Sequence, residues 1–207
     1  ISEELKYVAT KESIPVATLL KDFVEGKITI LKNKNRKIKP VGVGSGLSTK
    51  VNANIGTSPD FFDIEIEIAK LRAAEEAGAD AIMDLSTGGD LSYIRKTIIE
   101  MSSLPLGTVP IYEVAVRMTR ENKSLSEFTI KDFLNIVQEQ AEEGVDFMTI
   151  HSGVTRSSVA SLHSQRRITG ITSRGGSILA EWMKRNNKEN PLYEYYDEIL
   201  DILAEYN

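Results

Sequence analysis

The stretch with the clearest chemical capacity is Ser173-Arg174-Gly175-Gly176. Two glycines let a backbone approach a ligand closely, the first N–H groups of a helix point outward, and Arg174 offers a bidentate fork. Phosphate is the natural guest; the plainer reading is a glycine turn with a surface arginine. His151 closes an apolar run and suits a general base, a polar contact to a heterocycle, or a satisfied, partly buried histidine. Asn54 can hydrogen-bond a ring or ribose edge, and Asn52 competes for that role. Tyr112 can stack on a ring or donate its hydroxyl, or simply sit at a rim. Met83 is ordinarily core filler. Its neighbour Asp84 is either a catalytic carboxylate or the anchor of a loop N–H. His163, in a polar loop, reads as a surface residue. No catalytic residue is singled out, and two histidines without cysteine make a complete zinc site within the chain unexpected.

These residues share one expected location, the carboxyl ends of strands, where parallel β/α folds gather ligands. Strands are expected at Val51–Ile55, Asp80–Leu85, Gly107–Tyr112, Asp146–His151 and Arg167–Thr172. Pro110 is tolerable near the end of the third. Between them, Ser58-Pro59-Asp60 opens a helix bearing Ile64, Ile68 and Leu71 that Gly78 closes. Ile94, Ile98 and Met101 mark a second helix. Thr129, with Asp132 three residues on, caps a third whose apolar face is Ile130, Phe133, Leu134, Val137 and Ala141. Helices over Ser177–Lys184 and Pro191–Tyr206, the latter capped by Asn190, end the chain. An echo supports the repeat: Glu75-Glu76-Ala77-Gly78-Ala79-Asp80 and Glu142-Glu143-Gly144-Val145-Asp146 each lead into a strand.

Residues 1–40 read as a small α+β extension, and residues 41–207 as the β/α domain. Ser13 and Pro15 start a helix with Val16, Leu19, Leu20 and Phe23 on its apolar side, and Gly26 ends it. Lys27–Leu31 is a short strand. The basic run Lys32, Lys34, Arg36, Lys37, Lys39 reads as a solvated turn. Gly42-Val43-Gly44-Ser45-Gly46 fails both the dinucleotide and the P-loop patterns and reads as a flexible lead. The five β/α units leave either an open sheet or an incomplete (β/α)8 TIM-type barrel, five of eight units. A full barrel takes roughly 250 residues, and this chain has 207.

Composition narrows the function. The chain is 41% hydrophobic and 27% charged, an ordinary globular mix. A net charge of −5 argues against nucleic acid as partner. No apolar run is long enough to cross a membrane. With no cysteine, neither a disulfide framework nor an iron–sulfur cluster can be built from this chain alone.

Several stretches, in order, resemble the phosphomethylpyrimidine synthase family of thiamine biosynthesis. They are Lys50-Val51-Asn52-Ala53-Asn54-Ile55-Gly56, Met83-Asp84-Leu85-Ser86-Thr87-Gly88, Gly107-Thr108-Val109-Pro110-Ile111-Tyr112, Phe147-Met148-Thr149-Ile150-His151, Arg167-Ile168-Thr169-Gly170-Ile171, Ser173-Arg174-Gly175-Gly176-Ser177 and Glu189-Asn190-Pro191-Leu192-Tyr193. The resemblance implies a cytoplasmic, homodimeric radical lyase. Such an enzyme cleaves S-adenosylmethionine at a [4Fe-4S] cluster and rearranges 5-aminoimidazole ribonucleotide into hydroxymethylpyrimidine phosphate. It implies substrate contacts at Asn54, Met83, Tyr112, His151, Ser173, Arg174 and Gly175. The family's zinc histidines and cluster cysteines are expected beyond Asn207, so this chain is expected to be the N-terminal part and inactive alone. Two other readings stay open. One is a catalytically silent binding or scaffold module; the other is an aldolase-like lyase, which would need a buried lysine near the strand ends.

Overall fold

A computed structural model describes residues 1–164 and 168–206, without the side chains of His163 and Ser164. The chain forms two compact units. Among the described residues, the first holds 1–108, 142–148 and 206; the second holds 109–141, 149–164 and 168–205.

The first unit opens with two short helices, α1 (Glu3–Lys11) and α2 (Val16–Val24). Ser2 caps α1 by accepting the Leu5 N–H. This helix escaped the sequence reading because its apolar residues are few. At α2, Pro15 rather than Ser13 is the capping position, and Ser13 adopts a φ of 57°. Leu5, Val8, Ala9 and Leu19 pack with Ile28 into a small core. Ile28 belongs to β1 (Ile28–Leu31), which pairs antiparallel with β2 (Val41–Gly44). The expected flexible lead is therefore half strand. Gly44 is needed there: its φ is 141°, and a Cβ would lie 2.3 Å from the Lys27 carbonyl oxygen.

The basic run between β1 and β2 is not a simple solvated turn. Arg36 is buried, its guanidinium 3.4 Å from the Asp146 carboxylate, and it donates to the Ser102 and Leu104 carbonyls. Asp146 also accepts the N–H groups of Asn33 and Leu106, each at 2.8 Å. Burial raises the Asp146 carboxyl's proton affinity, and Arg36 opposes that shift.

A four-stranded parallel sheet follows, in the order β3-β4-β5-β6: β3 (Asn52–Ile55), β4 (Ala81–Asp84), β5 (Leu106–Thr108) and β6 (Phe147–Met148). Spatial order equals chain order, as expected of repeated β/α units. Helices α3 (Ile64–Glu76) and α4 (Leu91–Met101) connect β3 to β4 and β4 to β5. Their Leu71, Ile94 and Ile98 pack with Ile55, Ile82 and Leu106. Each such side chain withdrawn from water contributes about 1.5–3 kcal/mol. Helix α3 starts at Ile64, capped by Asp63, and not at Ser58-Pro59-Asp60; that stretch makes a turn closed by a Ser58–Phe61 bridge.

Three expected strands change. The fourth, expected over Asp146–His151, is only Phe147–Met148, so His151 lies in the loop beyond the strand rather than at its end. Pro110 does not end a strand: it is the first residue of α5 (Pro110–Arg120), so Tyr112 stands in the first turn of a helix. A proline at this position loses no hydrogen bond, because a helix's first N–H groups have no intrahelical acceptor. The expected fifth strand is absent over residues 168–172, and Arg167 lies outside the described residues. The described parallel sheet thus has four strands where five were expected.

The second unit is helical. After α5 come a single 3-10 turn (Leu125–Glu127) and α6 (Ile130–Glu143), whose last two residues belong to the first unit. Then follow α7 (Arg156–Ser164), α8 (Arg174–Asn186), α9 (Pro191–Glu194) and α10 (Tyr196–Ala204). Thr129 and Asp132 exchange hydrogen bonds at the start of α6, as the spacing predicts. Trp182 of α8 donates its indole N–H to the Phe128 carbonyl, and the two rings stand 5.6 Å apart.

Candidate functional site

The seven expected site residues fall into two sets. Asn54 and Met83 belong to the first unit, where they are direct register partners near the carboxyl ends of β3 and β4. Asn54 is exposed and Met83 buried. Tyr112, His151, Ser173, Arg174 and Gly175 belong to the second unit.

The loops after β3 and β4 are stiffened by polar groups, of which the sequence reading marks only Asp84 for such a role. Glu67, 1% exposed, accepts the Gly56 N–H at 2.8 Å and an ion pair from Lys70. Asp84 accepts the Ser86 N–H at 2.9 Å, the loop-anchoring alternative. Ser86 in turn accepts the Thr57 N–H, and the Thr57 hydroxyl donates to the Gly88 carbonyl at 2.6 Å. Burial pushes the Asp84 carboxyl's pKa up, with the hydrogen bonds to Ser86 opposing it. A glutamate three residues after Ile64, on an otherwise apolar side, is the signal that could have marked Glu67.

In the second unit the polar residues meet at the start of α8. The Ser173 Oγ accepts the Gly176 N–H at 3.2 Å and so caps the helix. The same oxygen lies 3.1 Å from the His151 Nε2. His151 Nδ1 is buried and has no hydrogen-bond partner among the described residues. Burial lowers the imidazole's pKa below its usual value near 6.5, so the ring is neutral at neutral pH. The Arg174 guanidinium stands over the Tyr112 ring, 5.6 Å from its centre. Such stacking orients the fork while leaving its donors outward. The N–H groups of Arg174 and Gly175 open the helix, where intrahelical acceptors are lacking.

The glycine at 175 has a different use from the expected one. A Cβ there would fall 2.5 Å from the His151 ring, so the close approach is made by the imidazole. Asn190 was expected only as a cap. It does accept the Leu192 N–H at 2.9 Å, but its amide also donates to the His151 and Val154 carbonyls at 2.8 and 2.9 Å. It is fully buried and fixes the backbone on which His151 sits.

The second unit thus brings together a capped helix start, a stacked guanidinium, a neutral imidazole and a serine hydroxyl, groups of the kind that can seat an anion. The first unit offers a parallel α/β sheet with polar strand ends. These are features of a β/α protein, and the chain belongs to the Radical SAM ThiC family, which it matches over residues 1–207. It is 49% identical to the phosphomethylpyrimidine synthase of Thermodesulfovibrio yellowstonii over 207 residues. It is 51% identical to that of Methanocaldococcus jannaschii and 50% to that of Thermotoga neapolitana, each over 208 residues. In all three the whole of this chain aligns with 49% of the relative, so the chain spans about half the length of the curated relatives it matches.

The family name implies S-adenosylmethionine and an iron–sulfur cluster. A cluster is held by thiolates, and the chain has no cysteine. Among the described residues no group of three or more His, Asp or Glu side chains is placed to hold a metal. The described residues alone therefore do not make up a cluster or a zinc site. No helix among the described residues is long and apolar enough to cross a membrane.

Proposed function

We propose that this chain supplies the substrate-binding part of a phosphomethylpyrimidine synthase, a cytoplasmic homodimer. The reaction is the radical conversion of 5-aminoimidazole ribonucleotide to 4-amino-5-hydroxymethyl-2-methylpyrimidine phosphate, with the cluster's thiolates coming from outside this chain. The observation that carries the reading is near-50% identity to enzymes of that name along all 207 residues. The anion seat supports it, because the substrate is a monophosphate. The N–H groups of Arg174 and Gly175, the Ser173 hydroxyl and the Arg174 fork bind the phosphate. Neutral His151 and Tyr112 contact the remainder of the ribonucleotide; for Asn54 and Met83, on the first unit, contact with the substrate rests on the family resemblance alone. The four parallel strands are then part of a (β/α)8 barrel.

Calorimetry with 5-aminoimidazole ribonucleotide tests this. Arg174→Ala should weaken binding by about 1.5–3 kcal/mol, the worth of a charge-assisted hydrogen bond. Unchanged affinity would remove the phosphate assignment. A second reading, a silent binding or scaffold module, is favoured by the missing cysteines. Supplying the cysteine-bearing half of a relative separates the two: turnover supports the lyase, and a folded complex that neither binds nor turns over the ribonucleotide supports the scaffold.

A further inference from the structure

The basic run between β1 and β2 divides its charges unevenly. Lys32 is paired with Glu4 at 2.7 Å, Arg36 with Asp146, and the Lys34 ammonium stands 4.4 Å from the centre of the Tyr206 ring. Lys37 and Lys39 remain, and among the described residues neither ammonium meets a carboxylate. Both line one half-open cavity of about 490 Å³ in the first unit. Lys11 of α1 lines it too. The cavity's carboxylate is Asp80, 3.9 Å from Lys11 and already accepting the Val51 N–H at 2.8 Å. The cavity therefore carries more positive charge than its walls neutralise, in a protein whose overall charge is −5.

The remaining walls are mostly apolar or flat, Tyr7, Ile38, Pro40, Val41, Ala79 and Leu104, with Ser102 and Ser103 as the polar exceptions. Pockets of roughly 300–1,000 Å³ with apolar walls and a few convergent charges are what small organic ligands occupy. The location is distinct from the expected strand-end contacts. Asp80 and Leu104 precede β4 and β5, so the cavity lies at the amino ends of these strands, whereas Asn54 and Met83 lie towards their carboxyl ends.

We propose that this cavity is a second anion site, taking a small phosphomonoester with a flat apolar body. Lys37 and Lys39 bind the phosphate, and Tyr7 and Pro40 flank the body. The lysines are mobile point charges with three donors each, suited to a phosphate that is only partly enclosed.

Titration calorimetry of the full chain with AMP as the probe, and adenosine as the uncharged control, tests the site. AMP is expected to bind saturably and adenosine at least tenfold more weakly. The double variant Lys37→Gln/Lys39→Gln should lose at least tenfold in AMP affinity while its unliganded melting temperature stays unchanged, since neither side chain is buried or paired. Arg174→Ala, which probes the seat at α8, should leave AMP binding intact. The proposal is overturned if AMP fails to saturate, if adenosine binds equally well, if the double variant binds as the parent does, or if Arg174→Ala alone abolishes the signal.

Discussion

His151 shows how much a single residue's surroundings decide. Its type and its place after an apolar run were legible in the sequence; its ionisation was not, because that depends on burial by residues far along the chain. The folded ring holds its proton less tightly than an exposed histidine. As pH falls through about 6.5, the unfolded chain protonates first, and the native state loses stability until the ring's own lower pKa is passed. His151→Gln should therefore flatten the fall in stability below that pH, and the imidazole proton resonances should titrate with a midpoint under 6.5. A midpoint at or above that value would contradict the burial. Gly175 illustrates the opposite case. Its presence next to an arginine signalled a close approach, but not that the approaching group is the imidazole. A pair of positions brought together by folding leaves no mark in local spacing.

At the scale of elements, local signals served well wherever one residue decides an end. Gly26 and Gly78 take left-handed conformations at helix ends, and Thr129 with Asp132 caps α6. Local signals failed where two outcomes share a signature. Thr108-Val109-Pro110-Ile111-Tyr112 is rich in strand formers, yet proline at a first helical position is equally good grammar, and the helix wins. Arg36 failed for another reason: a charged run is read as solvated unless its distant partner is known, and Asp146 is far away in the chain. Asn190 joins elements in the same long-range manner. Asn190→Ala removes a cap and leaves two carbonyls unpaired, so it should cost about 2–4 kcal/mol by urea unfolding. Asn190→Asp, which keeps the acceptor for Leu192, should recover part of that loss. A cost under about 0.5 kcal/mol, the level of an ordinary surface change, would show that Asn190 does not clamp the loop.

At the scale of the whole chain, the β/α order was legible and the strand count was not. Residues 168–172 hold two isoleucines and two threonines, β-branched residues that suit a strand, but a strand exists only where a neighbour accepts its hydrogen bonds. In the described sheet β3 and β6 are the outer strands. Val51, Phe61 and Phe62, shortly before and after β3 in the chain, are 59%, 58% and 60% exposed. Unpaired strand edges next to apolar surface favour association. Light scattering across a concentration series should show the average mass rising above 23.0 kDa. A mass that stays monomeric throughout would show that neither edge is sticky, and would weaken the homodimer reading.

The imidazole resting where residue 175 lacks a side chain has a consequence for how this protein can drift. Any larger residue at 175 would evict the ring, and with it the contact to Ser173, so the two positions cannot be retuned separately. A change at one must be answered at the other, and the helix start and the loop that bears the ring are bound to a shared history.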